Sequence, residues 1–125
     1  MKQLFIFTTI CMFIFSCSKK SNDKDTETSV VTFSSPANNQ VFTAGETIHI
    51  KGIVNDNQYI DEVHIEISNL NTGIEYQHVH IHPATKTYAF DQPLTVQAGI
   101  NYKIKVIAED PSSNTSSQQV EISCN

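Results

Sequence analysis

Three of the chain's five histidines fall on alternate residues of one short stretch, Gln77-His78-Val79-His80-Ile81-His82-Pro83. Alternate residues of a β-strand share a face, so Val79 and Ile81 point one way and the three imidazoles the other. Neutral imidazole is the commonest protein ligand for Zn and also suits Cu, which makes such a row a candidate transition-metal site. A second alternating stretch precedes it: Val63, Ile65 and Ile67 share one face, and Glu62, His64, Glu66 and Ser68 the other.

Between the two stretches lies turn chemistry, Asn69 to Gly73. A three-residue loop Asn71-Thr72-Gly73, with Gly73 left-handed as hairpins with a bulge prefer, fixes the register. It sets Glu62 opposite His82, His64 opposite His80 and Glu66 opposite His78, with Val63 meeting Ile81 and Ile65 meeting Val79. A two- or four-residue loop would slide aliphatic residues opposite histidines and break the pattern. One hairpin face then carries four histidines and two glutamates.

Reach limits how many share one ion. His78 and His82 have Cα atoms about 13 Å apart along an extended strand, while a metal holds its donors at about 2 Å. The compact set is His64 and His80 with one neighbour, His78 or His82, and Glu66 or Glu62 as a carboxylate ligand. Nitrogen donors of that kind favour Zn or Cu over Ca or Mg. The same face also has a plain reading, because Glu opposite His is an ordinary cross-strand pair worth about 0.2–1 kcal/mol.

A second constellation is acidic: Asp56 and Asp61 flank one loop, and Glu109 and Asp110 begin another. These four carboxylates could gather around Ca²⁺. Against that stands the general preference of Asp for turns. His49 reads as a lone surface histidine on a different sheet.

The elements that must position these groups are short strands. Val30–Phe33, Val41–Phe42, Thr47–Val54, Val63–Ser68, Ile74–His82, Tyr88–Phe90, Leu94–Val96, Tyr102–Ala108 and Thr115–Ser123 alternate or carry β-formers. Turn residues separate them, including a loop at Asn55–Gln58 and a break at Asp91-Gln92-Pro93. No helical period is sustained after the first segment. Roughly seven or eight strands in about 95 residues predict an all-β antiparallel sandwich over 30–125. A domain of that size is viable without a disulfide.

The first sixteen residues are of another kind. Lys2 precedes a short apolar run, Leu4 to Phe15, too short for the roughly 20 residues that span a bilayer and suited to a signal peptide over 1–16. Ile14-Phe15-Ser16-Cys17 resembles a bacterial lipobox. That resemblance implies cleavage before Cys17 and acylation of its new N-terminus, hence a membrane anchor that does not span. Residues 17–29 are polar and aperiodic, a tether from lipid to domain. Cys11 leaves with the leader and Cys17 is acylated, so Cys124 remains as a free thiol at a frayed end beside the C-terminus, with no intramolecular disulfide.

The domain itself resembles bacterial immunoglobulin-like domains. The resemblance lies in Ser35-Pro36-Ala37-Asn38-Asn39 through Gly45-Glu46-Thr47-Ile48, in Gly52-Ile53-Val54-Asn55-Asp56 with Val63-His64-Ile65, and in Tyr102-Lys103-Ile104-Lys105-Val106-Ile107-Ala108-Glu109-Asp110 with Asn114. It implies an immunoglobulin-like sandwich, with Tyr102 where that family places its tyrosine corner. By the histidine strand alone, the chain is also similar to a family of lipoprotein domains of unknown function.

Charge narrows the classes. There are eight lysines, thirteen acidic residues and no arginine, and loss of Lys2 with the leader takes the formal charge from −5 to −6. Nucleic acid is excluded as a partner, since it needs a basic footprint. No Gly-x-Ser-x-Gly or phosphate-cradling glycine loop occurs, and a flat sheet face shields no reaction, so no enzyme is expected. The expectation is a monomeric, lipid-anchored protein of the bacterial cell envelope, at the outer membrane, whose sandwich is a binding module for Zn or Cu. Metal-independent contact with a protein or glycan, and a calcium-stabilised spacer, are the competing readings.

Overall fold

The structure, a computed structural model, describes residues 23–125. The signal peptide expected over 1–16 and the acylation expected at Cys17 fall outside the described residues. Eight strands follow one another within them: β1 Val30–Ser35, β2 Gln40–Phe42, β3 Thr47–Ile60, β4 Glu62–Asn69, β5 Glu75–Ile81, β6 Thr85–Thr95, β7 Asn101–Glu109 and β8 Thr115–Cys124. They form a three-stranded sheet, β1-β3-β6, and a five-stranded sheet, β2-β8-β7-β4-β5. All pairings are antiparallel except β2 with β8, which is parallel. The expected β-sandwich is the observed fold.

The alternation that predicted the strands also fills the core. Ile48, Ile50 and Val54 of β3, Val63, Ile65 and Ile67 of β4, Tyr102, Ile104, Val106 and Ala108 of β7, and Val120 and Ile122 of β8 are all buried. Because side chains alternate across each strand, the intervening residues of β4 and β5 are forced onto the outer face, and the polar ones among them can meet there. On β3, Gly52 is a close approach between sheet partners. A Cβ there would lie 2.2 Å from the Thr32 carbonyl oxygen and 2.3 Å from the Phe90 ring, and Phe90 in turn receives Phe33 edge-on at 5.8 Å.

Three expectations are corrected. Asn55–Gln58 is not a loop: β3 runs on to Ile60, which is fully buried and pairs with Thr85 after an irregularity beyond Asn55. Burial of Ile60 outweighs the turn preference of the asparagines before it. The break at Asp91-Gln92-Pro93 is likewise absent, and β6 is continuous through Pro93. Since β6 is an edge strand, the missing N–H of Pro93 faces no neighbour. Cys124, expected at a frayed end, is 4% exposed and part of the core, because β2 closes over β8 in parallel and pairs Phe42 with it.

The polar segment before β1 is tied to the domain at its end. Ser29 is buried and its hydroxyl donates to Asp56 Oδ2 at 2.7 Å. The Asn114 amide donates to the Asp25 carbonyl at 2.9 Å, and the Asn57 amide to the Asp25 carboxylate at 3.2 Å.

Candidate metal centre

The β4–β5 hairpin has the predicted register, reached by a different turn. His64 pairs with His80, Glu66 with His78, Val63 with Ile81 and Ile65 with Val79. The loop, however, has four residues. The Asn69 N–H donates to the Ile74 carbonyl at 2.8 Å and the Gly73 N–H to the Asn69 carbonyl at 2.9 Å. The Asn69 side chain caps the turn by accepting the N–H groups of Asn71 and Thr72, and Gly73 sits at φ 75°. A four-residue loop alone would put aliphatics opposite histidines. A bulge restores the parity: Ile67 pairs with Gln77 but Ser68 with Glu75, so Tyr76 is the extra residue. Tyr76 is thereby turned toward Tyr102, ring centroids 5.6 Å apart.

Above that register three side chains converge. Glu62 Oε2 lies 3.1 Å from His64 Nε2 and 3.3 Å from His80 Nε2. Glu62 reaches His64 along its own strand and His80 along the cross-strand diagonal, a distance long side chains bridge. The His64 and His80 rings are stacked, so both present Nε2 to the same carboxylate oxygen. The hydrogen bond from His64, aided by the charges of His80 and His82, holds the Glu62 carboxyl below the usual carboxylate range against the opposing effect of burial. Among the described residues this is the one group of three metal-ligating side chains in mutual reach.

The spacing has chemical meaning. Donors about 2.0–2.1 Å from a tetrahedral ion stand about 3.3 Å from one another. The two separations in the structure, 3.1 and 3.3 Å, are of that size.

The other predicted ligands divide. Glu66 is outside the group: it stands in register with Lys105 on its β7 side and with His78 on its β5 side. His82 is not in a ladder position opposite Glu62, because β5 ends at Ile81. Instead His82 Nδ1 donates to the Asp61 carbonyl at 3.2 Å, and its ring lies 4.6 Å from that of His80. A carbonyl only accepts, so the proton of His82 is on Nδ1 and its Nε2 keeps a lone pair. His78 approaches the opposite edge of His64, Nε2 to Nδ1 at 3.0 Å.

The acidic quartet does not assemble. Asp110 is 1% exposed, and its carboxylate accepts the N–H groups of Ser112 and Asn114 and the Asn114 amide. It holds the β7–β8 turn together. Asp56 accepts Ser29 and the Gln58 N–H. The Asp61 N–H donates to the Glu109 carbonyl, while Glu109 stands in register with Glu62 rather than with the aspartates. Asp56, Asp61, Glu109 and Asp110, the residues of the calcium reading, form no group within mutual reach among the described residues, and the carboxylates of Asp56 and Asp110 are engaged in hydrogen bonds. His49 lies on the other sheet as expected, but not alone. Its Nδ1 donates to Asp91, which Lys51 also approaches at 3.2 Å, and together they hold the Asp91 carboxyl below its usual range.

A family model described as a bacterial Ig domain matches residues 30–106. Among solved structures, the chain is similar to a superoxide reductase (neelaredoxin) from Ignicoccus hospitalis, at 12% identity and a TM-score of 0.51 over 79% of this chain and 81% of that one. It is also similar to the fibronectin(III)-like modules of CbhA from Clostridium thermocellum, at 22% identity and a TM-score of 0.50 over 76% of this chain. It spans 45% of that second chain. Both likenesses concern the fold. No curated protein matches the chain.

Proposed function

The chain belongs to the bacterial Ig domain family, and from that premise we propose an envelope binding module that captures a divalent transition metal. Glu62, His64 and His80 hold the ion, with the His82 ring beside that of His80. The observation that carries this reading is the placement of Glu62 Oε2 within 3.1 and 3.3 Å of two imidazole nitrogens. Two imidazoles and a carboxylate suit Zn²⁺ and Cu²⁺, and the general affinity order favours Cu²⁺ where both are free. The centre lies on the outer face beside an edge strand, and His80 is 44% exposed. An ion held there stays open to water, so the role is capture or display rather than catalysis.

Anchoring belongs to the same proposal. Cys17 carries the lipid, residues after it bridge to the sandwich, and a single copy works at the envelope membrane, the outer membrane by this reading. Among the described residues no helix is long and apolar enough to cross a membrane. Metal content of untagged protein, followed by zinc and copper calorimetry, tests the binding, and absence of uptake at micromolar metal would remove it. Mass spectrometry of the mature N-terminus tests the anchor: an unmodified Cys17 would sink it.

A second reading, contact with a protein or glycan without an ion, is favoured by a cleft of about 390 Å³ between β5 and β6. Tyr76, Gln77, Leu94, Thr95, Gln97 and Tyr102 line it. Pull-down or glycan-array signal that ignores chelators would support that role.

A further inference from the structure

His64 has a hydrogen-bond contact at each ring nitrogen: Nε2 to Glu62 at 3.1 Å and Nδ1 to His78 Nε2 at 3.0 Å. His78 in turn presents Nδ1 to Glu75 Oε2 at 3.7 Å. The three side chains form a line, Glu75–His78–His64, ending at the ion position. We propose that His78 is a positioning residue rather than a ligand, and that it fixes which nitrogen of His64 carries the proton. This rests on the metal-site reading given above.

Geometry separates the two roles. The nitrogen of His78 nearest the cluster is engaged on the edge of His64 that faces away from Glu62, so joining the same ion would mean abandoning that contact. Metal-bound histidines regularly place their second ring nitrogen against a fixed partner, which orients the ring and sets its tautomer. His78 occupies that place for His64.

The proton positions follow. Without metal, the ionised Glu62 carboxylate only accepts, so His64 Nε2–H donates to it and His64 Nδ1 accepts from His78 Nε2–H. When an ion takes His64 Nε2, that proton leaves to solvent. The His78 Nε2 proton passes along the 3.0 Å contact to His64 Nδ1, which then donates back to His78 Nε2. A solvent proton settles on His78 Nδ1, facing Glu75. One proton leaves and one arrives, so neither ring changes charge and no electrons move.

The test uses the mature-length, untagged protein, zinc as probe, and the variants His78→Leu and His78→Gln. His78 is exposed on an edge strand, and backbone NMR of each variant verifies that the fold is intact. Zinc affinity should fall about 10–100-fold in His78→Leu and largely return in His78→Gln, whose amide oxygen can accept the His64 Nδ1–H. Ring ¹⁵N spectra should show His64 protonated at Nε2 without zinc and at Nδ1 with it, and the number of zinc-bound imidazoles should be the same in wild type and His78→Leu. Unchanged affinity in His78→Leu, or one zinc-bound imidazole fewer, would overturn the positioning role while leaving the site in place. A wild-type protein that binds no zinc removes the site, and this role with it.

Discussion

His64 and His80 stand directly opposite one another across the β4–β5 hairpin with their rings stacked, centroids 4.1 Å apart and planes 17° from parallel. Stacking aims both Nε2 atoms at Glu62, so loss of either ring removes a donor and the support of its neighbour. Zinc affinity should fall by more than about 100-fold in His64→Ala and in His80→Ala, beyond the 10–100-fold range of outer-shell changes. His82→Ala should cost less, and His49→Ala, on the other sheet, nothing. Calorimetry at neutral pH checks the order, and equal binding in His64→Ala would refute the assignment.

Asp91 ties pH to stability through His49 and Lys51. Their contacts depress its carboxyl in the folded state, so the stabilisation is present above the unfolded carboxylate range, about 3.9, and is lost as pH falls through the lower folded value. Asp91→Asn should therefore melt slightly below wild type at neutral pH, with the gap closing in acid. Because the group is exposed and screened, the shift is small. Melting curves across pH 2–7 measure it, in the region where a carboxylate titrates.

Tyr102 makes the opposite prediction. Its hydroxyl accepts the Gln97 N–H at 3.0 Å from five residues upstream, which is the tyrosine corner the sequence resemblance implied. Burial raises its pKa, so its contribution is complete below the unfolded value, about 10, and is lost as pH rises through the higher folded value. Tyr102→Phe should cost about 1–3 kcal/mol at neutral pH, because the Gln97 N–H is left without its acceptor. The variant should lose less than wild type in alkali, as denaturant titrations at two pH values would reveal.

Gly52→Ala tests the core. The added methyl meets backbone on one side and the Phe90 ring on the other, both under 3.0 Å, so β1 or β6 must shift. Overpacking of this kind costs about 1–3 kcal/mol, and urea unfolding should show it. A neutral result would mean that the sheet yields more readily than its packing implies.

The sandwich was legible from sequence because its strands obey a period of two. Every second residue of Val63–Ile67 and Tyr102–Ala108 is apolar, and apolar residues leave water wherever the chain pairs them. The same alternation placed His64, His78 and His80 on one outer face and set their register. It did so although the turn was misread, since the four-residue loop and the bulge at Tyr76 offset one another. A local pattern records which face a side chain takes, and both routes preserve it.

What the pattern does not record is which neighbours on that face touch. Glu62 and Glu66 are equivalent in the alternation, yet only Glu62 comes within mutual reach of His64 and His80, while Glu66 stands in register with His78 and Lys105. His78 and His82 are equivalent too, until β5 ends at Ile81 and the Asp61 carbonyl takes His82. Asp110 looked available until its own turn closed around it. These choices belong to contacts between residues far apart in the chain or to the exact end of a strand. Alternation therefore fixed the faces, and only the assembled sheet decided the partners.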